Sequence, residues 1–137
     1  MGVKMKSLSI AVDFDGTCVH GKYPLVGPDM LGAALALQLL VSDGHKLILW
    51  TCREHASYKG VDDVLQLALD WFDSRGIELY AVNDNPDHFA AHDYPKSRKF
   101  FADVYIDDHS LFLPRLHGGD LDWYAIYKEI KRIADGQ

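Results

Sequence analysis

Cysteine is nearly missing from this chain: only Cys18 and Cys52 occur in 137 residues, and neither belongs to a CxxC pair. That excludes a disulfide framework or a cysteine-rich zinc site, and two isolated thiols suit a reducing compartment. Basic charge is short as well. Lys and Arg number 14 against 20 Asp and Glu, a formal net charge of -6. General nucleic-acid binding needs a basic face that displaces counterions, and this balance argues against it. An anionic substrate remains admissible, because a bound divalent cation reverses the local sign of a site. No apolar run is long enough to span a bilayer, so no membrane association is expected. The opening MGVKMKSLSIAVDFDGT has a short apolar run that meets Asp13 almost at once, which reads as a first strand rather than a leader. Lys6 stands where a myristoylation pattern needs Ser or Thr. The expected location is the cytoplasm. Internal repeats, linkers and low-complexity segments are also missing.

What is present is an ordinary globular composition, 48% hydrophobic and 25% charged. A chain of this length fits one domain over residues 1–137 and buries roughly two-thirds of its unfolded surface. Leu8 to Val12 reads as a buried strand that ends on acids. Gly16 to Pro28 reads as a loop or small flap. Asp29 is placed to cap a helix running to about Ser42, and Lys46 to Trp50 (KLILW) reads as the second strand. Val61, Val64, Leu65, Ala68, Leu69 and Phe72 keep helical spacing in a helix from about Val61 to Arg75. Glu78 to Val82 is the third strand, and the polar NDNPDH after it reads as a turn, with a contact to a bound ligand as the alternative. Asp103 to Ile106 is the fourth strand. A last helix runs from about Asp122 to Ala134, with Trp123, Ile126, Ile130 and Ile133 on one face. Strands alternating with helices predict an α/β, three-layer sandwich with a mainly parallel, doubly wound sheet. In such sheets ligands bind outside the carboxyl ends of the strands, where DFDGT, TCRE, NDN and DDHS all fall.

Asp13 and Asp15 are separated by one residue at a strand end, so alternation can turn both carboxylates to one crevice. Asp107 and Asp108 end another strand. Four clustered acids without a matching Cys/His set suit a hard ion such as Mg²⁺. His88 and His92 have helical i, i+4 spacing, but no third ligand pattern accompanies them to make a zinc site. Each motif also has a plainer reading: Asp15-Gly16 as a turn, Thr51 as a helix cap, PKSRK as a solvated basic patch, Arg53 as a surface ion pair. Trp50, Trp71 and Trp123 read as packing residues.

Taken together, DFDGT, Thr51 closing KLILWT, a lysine upstream of VYIDD, and Asp107-Asp108 resemble, in order, the four motifs of the haloacid dehalogenase-like (HAD) phosphatase superfamily. The likeness spans residues 8 to 110. It implies a Rossmann-type HAD fold and a Mg²⁺-dependent phosphomonoester hydrolase working through a phosphoaspartate. By that resemblance Asp13 is the nucleophile, and Asp15 is the general acid and then base, its backbone carbonyl on the metal. Asp108 is the direct carboxylate ligand from the fourth motif, with Asp107 beside it. Thr51 holds the phosphoryl group, and Lys99 neutralises charge, with Lys96 as its alternative. Gly16, Thr17 and Arg53 are expected at the phosphorylated substrate. Only a flap stands between Thr17 and Asp29, and no inserted domain between Thr51 and Lys99, so the chain resembles the capless type. Its open site invites closure by a second subunit, a homo-oligomer. Two other readings compete: a receiver-like phospho-acceptor domain, whose acidic pair is adjacent and whose acceptor ends the third strand, and a catalytically idle HAD-like binding module.

Overall fold

Ser9–Val12 (β1), Lys46–Leu49 (β2), Ala81–Val82 (β3) and Val104–Ile106 (β4) form one four-stranded sheet in the order β3-β2-β1-β4. All three pairings are parallel in this computed structural model, which describes residues 5–92 and 95–136. Central strands of a parallel sheet are covered on both faces, which is why SIAV and KLIL are almost continuously apolar. Alternation divides them. Ile10, Val12, Leu47 and Leu49 join the larger core, under the helices Ala33–Ser42 (α1), Val64–Ser74 (α2) and Trp123–Ala134 (α4). Ala11 and Ile48 face the other way, onto Phe100, Ala102 and the half-buried Phe89 of Pro86–His92 (α3). Helices thus lie on both faces, unequally, in a small α/β architecture compatible with a Rossmann-like fold.

Local chemistry explains where the elements depart from the sequence reading. Helix α1 begins at Ala33 rather than near Asp29, because Gly32 takes φ +79° at its N-cap, a left-handed conformation that a glycine adopts readily. Asp29 caps nothing there; it accepts from Trp71 Nε1 at 2.8 Å and from both Nε and Nη2 of Arg75. The segment read as a turn contains the start of α3, at Pro86, a residue preset for a first helical position. Only Ala81 and Val82 of the third strand pair with β2, so β3 is a short edge. On α4, Trp123, Ile126, Ile130 and Ala134 are buried while Ile133 is exposed, since the stripe continues at i+4 from Ile130. Asp122 caps this helix by accepting from the Ala125 amide at 3.0 Å. No helix among the described residues is long and apolar enough to cross a membrane.

Two aromatic residues tie the core to the loop after β1. Phe14 is fully buried with its ring centroid 5.6 Å from Trp71 and 5.8 Å from Phe72. Trp123, equally buried, donates from Nε1 to the Thr17 carbonyl at 2.9 Å. Replacing Trp123 by Phe removes both volume and that donor. The expected loss is about 2–4 kcal/mol, read as a lower urea midpoint at unchanged slope.

Candidate active site

Strands β1, β2 and β3 step across the sheet in one direction, and the chain then returns to place β4 on the far side of β1. The crevice outside the carboxyl ends at such a reversal is the usual ligand position in open α/β sheets. Asp13 follows β1 there, its amide donating to the Ile106 carbonyl of β4 at 2.9 Å. Asp107 and Asp108 follow β4. One carboxylate oxygen from each of Asp13, Asp107 and Asp108 lies within 4.8 Å of the other two.

Thr17 holds this group together. Its hydroxyl is fully buried, 2.9 Å from Asp13 Oδ2 and 3.2 Å from Asp108 Oδ1, and it accepts from the Asp108 amide at 3.0 Å. One hydroxyl hydrogen serves two carboxylates, so it cannot neutralise both at once. Burial first, then the charge of Asp107 and the nearness of Asp108, push the Asp13 carboxyl from its usual 3.8 up to about 8, against the lowering effect of Thr17. Among the described residues no Lys or Arg forms an ion pair with Asp13, Asp107 or Asp108; His109 stands 3.8 Å from Asp108 but is almost wholly exposed. The donor set is therefore all oxygen, partly buried and short of positive charge, which fits a hard divalent cation.

Backbone geometry keeps the acids close. Gly16 has φ +84°, and a Cβ on it would lie 2.5 Å from Asp108 Oδ2. Its amide donates to the Val19 carbonyl, and those of Thr17 and Cys18 to the Phe14 carbonyl, so all three serve the loop itself rather than a ligand. Cys18 is buried and donates from Sγ to the Asp13 carbonyl at 3.3 Å, a packing role. Arg115 Nη2 reaches the Asp108 carbonyl at 2.5 Å and pins the loop after β4.

Three acids converge, not four. The Asp15 side chain turns to Arg53, which donates to its two oxygens at 2.8 and 2.7 Å. Arg53 is only 1% exposed, so it is no surface ion pair, and its remaining N–H groups go to the carbonyls of Pro24, Leu25 and Val64. All five donors of the guanidinium are thereby used within the protein, and none is left for a substrate. Thr51 is set by Asn83, whose side chain accepts from the Thr51 amide at 2.8 Å and donates to its carbonyl at 3.0 Å. The Thr51 hydroxyl accepts from the Arg53 amide, which leaves its own hydrogen without an acceptor among the described residues. Lys99 lies over the Tyr105 ring, 5.8 Å from its centroid, and Lys96 pairs with Asp84 at 3.1 Å. His88 and His92 lie with ring centroids 4.8 Å apart and their planes tilted on α3, outside any group of three candidate ligands among the described residues.

Asn83 is expected at this edge from the sequence only as part of the NDN cluster, with no role of its own, and Arg115 is not expected there at all. Asn83 carried a signal, since Asn tolerates the left-handed region it occupies at φ +50°; Arg115 carried none. Gly16→Ala is expected to lower stability by roughly 1–3 kcal/mol in chemical denaturation through strain and the clash with Asp108. Gly21→Ala, with open space around it, should stay within about 0.5 kcal/mol of the parent.

No family model and no curated protein matches the chain. A solved structure of a conserved protein coded by a locus from Bacteroides thetaiotaomicron is similar to it, with 37% identity over 93% of each chain and a TM-score of 0.72. At that identity and coverage, the chain belongs to the same family as this conserved Bacteroides protein.

Proposed function

We propose that the chain is a Mg²⁺-dependent phosphomonoester hydrolase of the capless HAD type, acting through a phosphoaspartate on Asp13. The observation that carries this reading is the meeting of Asp13, Asp107 and Asp108 within 4.8 Å, with Asp15 two residues from Asp13 and no Lys or Arg paired to the three among the described residues. A phosphate monoester brings further negative charge, which a lone carboxylate at 3.5 Å would repel by about 5 kcal/mol at an effective dielectric near 20. Asp13, Asp108 and the Asp15 backbone carbonyl, with Asp107 beside them, would hold Mg²⁺, which would supply the positive charge that favours an ionised Asp13 and offsets that of the phosphate.

The residues then divide the work. An Asp13 carboxylate oxygen attacks phosphorus as the ester P–O bond breaks, and Asp15, once it has left the Arg53 fork and taken a proton from solvent, gives that proton to the departing oxygen. A water molecule next attacks the phosphoaspartate, Asp15 takes the water's proton, and the Asp13–phosphorus bond breaks to release phosphate. Thr51, with its hydroxyl hydrogen unclaimed, donates to a phosphoryl oxygen. Lys99 is the proposed neutralising lysine and must leave the Tyr105 ring to act; Lys96 is held by Asp84. The short hairpin 18–30 is the flap that borders the site. Asp84, which follows β3, is outside the acidic group found among the described residues, which weighs against the receiver-like alternative.

Turnover of an aryl phosphate with Mg²⁺ is expected to be catalytic in the parent chain. Asp13→Asn should abolish it, and Asp15→Asn should lower kcat by about a hundred- to ten-thousand-fold. Lys99→Ala should lose far more activity than Lys96→Ala. A single stoichiometric phosphorylation would instead indicate a receiver, and no chemistry an idle module.

Charge repulsion gives a second test, free of substrate. Without metal, folded Asp13 keeps its proton to about pH 8, whereas the unfolded residue loses it near 3.8. The folded chain binds more protons between those values, so the Asp13 contribution to stability falls as pH rises from about 4 to about 8. Asp13→Asn should therefore melt above the parent at pH 8 in chelator and close to it at pH 4. Mg²⁺ should raise the parent's melting temperature more at pH 8 than at pH 5, and that of Asp13→Asn far less.

A further inference from the structure

The structure assigns Arg53 a role that the proposed hydrolysis does not itself require: we infer that it is a positioning residue joining the hairpin 18–30 to Asp15, so that the seating of the flap and the placement of the acid/base are one equilibrium. The inference rests on the hydrolase reading only for the name it gives to Asp15. Its partners belong to three separate segments. Asp15 lies in the loop after β1, Pro24 and Leu25 in the hairpin, and Val64 in the first turn of α2. The guanidinium also lies 5.3 Å from the Phe14 ring centroid below and 5.1 Å from that of Tyr23 in the hairpin, and Tyr23 stacks on Tyr58 at 5.5 Å.

A buried cation with a single counter-charge depends on every one of its acceptors. Lifting the hairpin removes two carbonyls, those of Pro24 and Leu25, and leaves Arg53 under-satisfied. Turning Asp15 away removes its only anion. Either event therefore favours the other, and the two-pronged contact transmits orientation as well as charge. When Asp15 turns to a leaving group it gives up part of the fork, and the flap is loosened in the same step, which opens the way for product and water.

Arg53→Lys keeps the charge but loses the planar fork, and Asp15→Asn keeps the size but loses the anion. Both variants are expected to speed hydrogen exchange about tenfold or more at the amides of His20, Leu25 and Met30, which hold the hairpin together. Ile130→Val, a destabilising control in α4, should not single out those amides. In turnover, Arg53→Lys should lower kcat on an alkyl phosphate at least about tenfold more than on p-nitrophenyl phosphate, whose leaving group needs little proton donation. KM should change little. Unchanged hairpin exchange in both variants, or equal losses on the two substrates, would overturn the assignment. An inactive parent chain would remove the hydrolase reading alone; the exchange comparison then decides for or against the link between Asp15 and the flap.

Discussion

Three carboxylates stand closer together than their charges tolerate. At 4.8 Å each ionised pair repels by about 3 kcal/mol even at an effective dielectric of 20. The metal-free chain can satisfy that constraint by keeping a proton on Asp13, whose carboxyl burial and its neighbours hold near 8. Much of the surrounding architecture serves to maintain the crowding. The sheet reversal brings the ends of β1 and β4 side by side, the missing Cβ of Gly16 leaves room for Asp108, and Thr17 bridges the two acids from a fully buried position. A fold selected for stability alone would have little reason to hold these groups together.

The distribution of positive charge sharpens the point. The one buried arginine at this edge sits two residues from Thr51, yet its guanidinium is directed to Asp15 and to three carbonyls. Lys96 pairs with Asp84 and Lys99 rests on Tyr105. Compensation is thus complete at Asp15 and lacking at its neighbour Asp13, although only Phe14 separates them. On the proposed reaction the two carboxylates take different roles only after their protonation is reversed, Asp13 ionising beside a bound cation and Asp15 leaving the Arg53 fork to take up a proton.

Much of this was legible in the sequence because apolar runs and acid positions obey short-range rules. The runs at Leu8 to Val12 and Lys46 to Trp50 gave β1 and β2 almost to the residue, and the helical spacing around Ala68 and Phe72 gave α2. Placing Asp13, Asp107 and Asp108 at one edge needed only the parallel-sheet rule. What the chain concealed depends on contacts distant in sequence. The Asp29 carboxylate was drawn to Trp71 and Arg75, 42 and 46 positions away, so it does not cap α1. Asp15 was drawn to Arg53, 38 positions away, which no periodicity reveals. Helix α3 was different: the Asn85-Pro86-Asp87 start carried a local signal that was outweighed by the turn-like composition around it.

On the capless reading the site is open, and that changes the balance of forces in a way that would suit hydrolysis. It is bordered on that reading by the hairpin 18–30 and by the loop after β4, on which Leu111 and Phe112 are exposed. Water exclusion strengthens every electrostatic contact, and a site that admits water forgoes part of that gain. On the proposed reaction, however, water is the second reactant, and full exclusion would arrest the chain at the phosphoaspartate. The weaker field of a wet site then has to be supplied by charge density rather than by burial. On that reading three acids around one divalent cation would meet the need, and a small flap latched by a buried arginine would order the acid/base without sealing the pocket.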